Sequence, residues 1–92
     1  MKKLTVVRFK PKSGCHATFV EALKEQARSA EHVEHRIMQT EDEVVAISIR
    51  DAEKLQDSAN QGIVWLDQHR HLLEEYNSSD RHTIFMTGDL VQ

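Results

Sequence analysis

The 92-residue sequence contains only one cysteine, Cys15, and therefore cannot form an intrachain disulfide. A chain of this length buries only about 60 to 65% of the surface that its unfolded form exposes, so its core is thin. Small cores without disulfides are commonly completed by a metal or by a partner subunit. We therefore expect a single domain over residues 1–92 that needs one or the other.

Long apolar runs are also missing. Arg8 interrupts the first apolar segment well short of the roughly 7 to 15 residues of a signal sequence, and no stretch approaches the roughly 20 apolar residues of a membrane span. The unpaired cysteine favours a reducing compartment. We therefore expect no membrane association and a cytoplasmic location.

An excess of positive charge is absent as well, because 12 basic side chains stand against 15 acidic ones and give a net charge of -3. This balance argues against nucleic acid as a partner. Phosphate-binding loops, paired-cysteine motifs, nucleophile elbows and dinucleotide fingerprints are missing too, which removes the common nucleotide-dependent enzymes. Chemistry without a cofactor has no short sequence signature and stays open.

Alternating and continuous apolar runs predict four strands. The strands are expected over residues 4–10, 33–40, 44–49 and 82–91. Three- and four-residue spacing of apolar side chains predicts a helix over residues 15–31. A short helix beginning at Asp51 is expected to stop near Gly62, and a second helix to run over residues 63–76. The order is βαββαβ, which indicates an α+β, ferredoxin-like domain with a four-stranded antiparallel sheet.

The second face of this sheet needs a cover. Two helical segments suffice for one face only, yet the first and third strands are largely apolar on both faces. A second copy of the chain, packed sheet against sheet, would bury the open face. The sequence therefore predicts a homodimer.

The order of elements and the run Val7-Arg8-Phe9-Lys10-Pro11-Lys12-Ser13-Gly14, followed by a helix that contains Phe19, resemble the dimeric α/β-barrel superfamily. Within it, the chain resembles antibiotic biosynthesis monooxygenase (ABM)-like proteins. A histidine-rich helical stretch after Ile49-Arg50-Asp51 adds to the likeness. The resemblance implies a homodimeric barrel that holds a small, often aromatic, ligand between sheet and helices. Some members oxidise polyketide-like substrates without metal or flavin, and some degrade haem.

His69 is the candidate catalytic residue. It falls on the apolar stripe of the last predicted helix, where a half-buried imidazole can titrate near neutrality and act as acid or base. Trp65 and Tyr76 lie on the same stripe and would form the aromatic wall of a ligand pocket. The alternative is a histidine at the core edge that bonds a backbone carbonyl, with both aromatic residues in the core.

Arg8 and Arg50 are candidate ligand-binding residues, because their strands should be neighbours. If both face the same cavity, they could clamp an anionic ligand. The alternative is that they pair with acidic residues at the strand ends. The basic residues near the first strand allow the same two interpretations, an anion site or a solvated strand edge.

Six histidines in a short chain raise the question of a metal. His32 and His35 fall at a predicted helix-to-strand transition, and no pair supplies the three or four ligands of a zinc site. Cys15 is expected to be inert. We expect no metal and no cofactor.

Three hypotheses for function follow. The first is a homodimer that binds a small organic ligand between sheet and helices, with cofactor-independent monooxygenase activity. The second is a non-catalytic dimeric module for ligand sensing or protein interaction. The third, which has less support, is a histidine-based metal or haem site.

Overall fold

The computed structural model describes residues 1–29, 34–79 and 81–92. The predicted end of the first helix near residue 31, the predicted strand start at Val33, and His32 lie outside the described residues. The described chain forms four strands and two α-helices in the predicted βαββαβ order. In sequence they are β1 (Lys2–Phe9), α1 (His16–Ser29), β2 (Glu34–Gln39), β3 (Val44–Asp51), α2 (Leu55–His69) and β4 (Thr83–Asp89). No described helix is long and apolar enough to cross a membrane.

The four strands form one antiparallel sheet in the order β2-β3-β1-β4. This arrangement confirms the predicted α+β, ferredoxin-like fold. Its register places four residues in a straight row across the sheet, because Thr5 pairs with Ser48 and with Thr87, and Ser48 pairs with His35. Residues far apart in sequence therefore become direct neighbours.

The two faces of the sheet follow from strand alternation. Phe9 contacts Phe19 of α1, with ring centroids 4.9 Å apart, so the odd-numbered residues of β1 face the helices. The opposite, open face carries apolar side chains from the two central strands and the β4 edge. Its apolar residues include Leu4, Val6, Val45, Ile47, Ile49 and Met86.

The core lies at one end of the helix-facing side. Its buried residues are Phe9, Phe19, Leu23, Val44 and Leu73. The Trp65 ring packs against this cluster, with its centroid 6.3 Å from that of Phe9 and 5.7 Å from that of Phe19. These contacts attach α1 and α2 to the Phe9 end of β1.

The predicted break near Gly62 is wrong, because α2 continues through it. Gly62 does not have the left-handed conformation expected of a helix end, and among the described glycines only Gly14 has a positive φ. Leu55 and Leu66, on either side of Gly62, line the same space above the sheet. Packing of this helix face outweighs the cost of about 1 kcal/mol for a glycine in a helix interior.

The helix predicted to reach residue 76 ends earlier. A 3-10 turn over Arg70–Leu72 follows α2, and Leu73 then has extended backbone angles. The backbone after this turn pairs with the loop after β1, because Lys12 N–H donates to Leu72 O at 2.8 Å and Glu74 N–H donates to Lys10 O at 2.8 Å. These bonds draw the chain away from the helix axis.

Gly62→Ala should raise the free energy of unfolding by about 1 kcal/mol, because alanine is the better helix former and its methyl group would meet nothing within 4 Å. Gly14→Ala is the matched control and should lower it by about 1 to 2 kcal/mol, because Gly14 has φ 82°. Urea unfolding of both variants measures the changes. A destabilised Gly62→Ala protein would contradict a continuous α2.

Candidate functional site

A cleft of about 590 Å³ lies between the helix-facing side of the sheet and the two helices. Its floor includes Val7, Ile37 and Ala46, which are register partners in the centre of the sheet. Leu23 of α1 and Leu66 of α2 contribute to its walls. This volume and this mainly apolar lining are typical of sites for small organic molecules.

One end of the cleft is polar. The straight row of His35, Ser48, Thr5 and Thr87 crosses the floor there, and the Thr5 and Thr87 hydroxyl oxygens lie 3.0 Å apart. Arg50 lies two residues beyond Ser48 on the same face and donates from Nη2 to Ser48 Oγ at 2.7 Å. The floor therefore changes from an apolar row to a hydrogen-bonding row two residues further along each strand.

Two buried nitrogen atoms at this polar end have no hydrogen-bond partner among the described residues. They are Arg50 Nε and His35 Nε2. No carboxylate in the described part of the chain lies within ion-pair distance of Arg50. A buried polar group without a partner costs about 1 to 3 kcal/mol, so both nitrogens are suited to bonding a ligand atom.

The protonation states of these two residues differ. Burial lowers the pKa of His35, and the positive charge of Arg50 lowers it further, so the imidazole is neutral at neutral pH and can accept a proton. Burial also lowers the pKa of Arg50, but the guanidinium is the most basic side-chain group and keeps its charge. The polar end thus combines a neutral base with a fixed cation.

Two of the predicted site residues, Trp65 and Arg50, line this cleft. Trp65 is part of the wall beside the aromatic core, and Arg50 lies at the polar end. The structure thus brings these two together around one space, although they lie on different elements.

Arg8 and Arg50 do not face the same cavity, as a clamp would require, because the two side chains lie on opposite faces of the sheet. The strands are neighbours, but Arg8 pairs in register with Val45, which belongs to the open face. Arg8 instead binds both carboxylate oxygens of Glu43, at 2.9 and 3.0 Å. This is the alternative of pairing with an acid at a strand end.

Tyr76 lies with Arg8 and not in the cleft. Its hydroxyl donates to Glu43, and the Arg8 guanidinium carbon is 5.7 Å from the centre of its ring. Burial and the adjacent Glu43 raise the pKa of Tyr76. Arg8, Glu43 and Tyr76 therefore form a polar cluster of their own at one end of the sheet.

His69 is not among the residues that line the cleft. Its Nδ1 bonds the Trp65 carbonyl oxygen at 2.7 Å, and its ring stacks on that of Trp65 with centroids 4.5 Å apart. Both contacts fix His69 against the side chain that forms the cleft wall. Its role in proton transfer stays a prediction.

His35 and Ser48 are cleft residues that the sequence analysis did not select as ligand-binding residues. Their signal was present in the alternation of β2, where His35 and Ile37 share a face, and in the apolar β3, where Ser48 is the only hydroxyl residue between Val44 and Ile49. Ser48 is only 6% exposed. A serine buried in an apolar strand needs a partner, and here that partner is Arg50.

Within the described ranges, no three histidine, cysteine, aspartate or glutamate side chains lie close enough to hold a metal ion. His32 lies outside this search, because it is not described.

Solved structures with the same fold align with nearly the whole chain. Rv0793 from Mycobacterium tuberculosis has a TM-score of 0.72 at 12% identity, covering 100% of this chain and 97% of that one. SnoaB, a cofactor-independent oxygenase from Streptomyces nogalater, has a TM-score of 0.66 at 15% identity, covering 99% and 94%. A protein from Chloroflexus aurantiacus named for antibiotic biosynthesis monooxygenase has a TM-score of 0.69 at 11% identity, covering 100% and 97%.

No family model and no curated protein matches the sequence. The identities of 11 to 15% to the solved structures show the fold alone. The chain has the ABM-like fold of the dimeric α/β-barrel proteins, which confirms the resemblance inferred from the sequence.

Acidification should destabilise the fold through His35 and His82, because burial lowers the pKa of both. Below the ordinary histidine pKa of about 6.5, the unfolded chain binds protons that the folded chain does not. Stability is therefore full above about pH 6.5 and falls as the pH drops toward the lowered folded-state values.

His35→Gln should reduce this loss, and His35→Gln combined with His82→Gln should reduce it further. Urea unfolding at about pH 7.5 and about pH 5.5, on either side of the ordinary histidine pKa, gives the difference for each protein. An unchanged pH dependence in the double variant would contradict the assigned pKa shifts.

Proposed function

We propose that this chain is an ABM-like homodimer that binds a small organic ligand in the cleft between sheet and helices. The observation that carries the proposal is the cleft itself, an apolar space of about 590 Å³ that ends at the unpartnered nitrogens of His35 and Arg50. A pocket with apolar walls and a few convergent polar groups is the usual form of a ligand site. The side chains do not fill the cleft.

The position of the Trp65 ring is an argument that the ligand is aromatic. The ring stands in the wall at a fixed orientation, because Phe9 and Phe19 pack on it and His69 stacks on it. Aromatic side chains favour offset or edge contacts with other rings, and such pairs gain about 0.5 to 1.5 kcal/mol beyond their burial. A planar aromatic ligand would gain this contact inside the cleft.

The apolar open face of the sheet is an argument for the proposed homodimer. Its apolar residues extend from the central strands to Met86, which is 71% exposed in the single chain. A continuous apolar surface of this kind on a soluble domain usually marks an interface, and two such faces can pack as the layers of a sandwich do. The likeness to dimeric α/β-barrel proteins adds to this argument.

Met86→Glu should convert the dimer to monomer, because it would bury a carboxylate between two sheets. The side chain is exposed in the single chain, so the variant should keep its fold. Val64→Glu on α2, where the side chain is 60% exposed outside the cleft, is the matched control and should remain dimeric. Analytical ultracentrifugation of the wild type and both variants measures their oligomeric states. A monomeric wild type at micromolar concentration would contradict the proposed dimer.

Ligand binding can be followed with the neutral fluorophore N-phenylnaphthylamine. Trp65 is the chain's single tryptophan and lines the cleft, so binding there should quench its emission. Ala46→Phe, which fills the floor of the cleft, should weaken binding at least tenfold. Val64→Phe, outside the cleft, should leave it unchanged. Equal binding by the wild type and Ala46→Phe would place the ligand elsewhere and contradict the proposal.

A second function, cofactor-independent oxygenation of the bound ligand, is favoured by the neutral His35 beside Arg50. His35 Nε2 would take a proton from a phenol or enol hydroxyl, and Arg50 would stabilise the oxyanion that forms. Dioxygen would then react with the electron-rich ring carbon. The O–O bond of the resulting hydroperoxide then breaks. One oxygen atom stays on that carbon as a carbonyl, and the other leaves as water, with both hydrogens and all the electrons coming from the substrate.

Oxygen consumption with anthrone as substrate tests this second function. His35→Gln should lower kcat by about 10² to 10⁴-fold, because it removes the base. His69→Ala is the informative comparison. If His69 transfers the proton, this variant should lose as much kcat as His35→Gln. Because His69 does not line the cleft, we expect a smaller loss of kcat. Ligand binding without any turnover would instead favour the non-catalytic sensing module.

A further inference from the structure

The cleft carries one fixed charge that no described residue of its lining neutralises. Among the described residues that line the cleft, Arg50 is the only lysine or arginine, and no aspartate or glutamate is present. The acids at the ends of the adjacent strands are already paired. Asp89 binds Lys3, which is the register partner of Arg50, and Asp51 points to the other face and binds Lys2.

The Arg50 side chain is also held in place. Its Nη2 donates to Ser48 Oγ, and the Ser48 side chain is itself buried in β3. This bond leaves Nε, on one edge of the guanidinium, without a partner and buried at the polar end of the cleft. A guanidinium that is hydrogen-bonded at one nitrogen and lacks a partner at another is preorganised for a planar oxyanion.

We propose that the cleft selects apolar ligands that carry a single carboxylate, with Arg50 as the counter-charge and the determinant of specificity. This inference rests on the proposed ligand site and names the class of ligand it takes. The apolar row of Val7, Ala46 and Ile37 would receive the hydrocarbon part. The carboxylate would lie at the Arg50 end.

A monoanion fits this site better than a phosphate dianion. One guanidinium neutralises one negative charge, and a second negative charge would remain unpaired beside the apolar walls, which is costly. His35 is neutral at neutral pH and does not supply a second cation. The planar carboxylate also matches the planar guanidinium, which can donate two parallel bonds to it.

Cinnamate and cinnamyl alcohol provide a matched pair of probes, because they share a frame and differ in the carboxylate. Calorimetry with the wild-type protein should show cinnamate binding at least about tenfold more tightly. Arg50→Met should lose this preference and leave the affinity for the alcohol nearly unchanged. Arg28→Met, which removes an exposed cation from α1, should keep the preference and controls for overall charge.

If Arg50→Met does not fold, Arg50→Lys provides a second test of the same inference. It retains the charge but not the planar donor edge, so the preference should shrink several-fold without vanishing. Equal affinity of the wild type for both probes, or a full preference in Arg50→Met, would overturn the inference while leaving a ligand site in the cleft. Failure of both cinnamate and cinnamyl alcohol, together with N-phenylnaphthylamine, to bind would instead contradict the proposed ligand site.

Discussion

The contact among the rings of Phe9, Phe19 and Trp65 is the interaction on which the rest of the structure depends. The three rings come from β1, α1 and α2, and their centroids lie within 4.9 to 6.3 Å of one another. They attach both helices to one end of the sheet. Because the buried core is concentrated at that end, the space over the other end stays open as the cleft.

The register of the sheet determines what this cleft contains. Val7, Ala46 and Ile37 form an apolar row, and the next row on the same face is Thr5, Ser48 and His35. Arg50 follows one step further along β3. A hydrophobic surface and a hydrogen-bonding end therefore lie side by side on a rigid support, which is the arrangement that orients a small ligand.

The sequence predicts the order of elements because strand alternation and helical spacing are local properties. It does not predict register, which depends on pairing between distant strands, and so it could not show that Arg8 and Arg50 face opposite sides. The prediction that a helix ends near Gly62 was wrong for a related reason, because packing of α2 on the sheet overrides the low helix propensity of glycine. Trp65 was found from its place on an apolar stripe. His35 was visible in the β2 alternation, but only its register partner Ser48 and its neighbour Arg50 make it a site residue.

The central claim is that a ligand binds between sheet and helices at the Arg50 end. A crystal structure of the protein with cinnamate tests it most directly. The account predicts the ring beside Trp65 and a carboxylate oxygen within about 3 Å of an Arg50 nitrogen, the usual length of a charge-assisted hydrogen bond. Cinnamate bound only on the open sheet face, or a cleft closed by side chains, would contradict it.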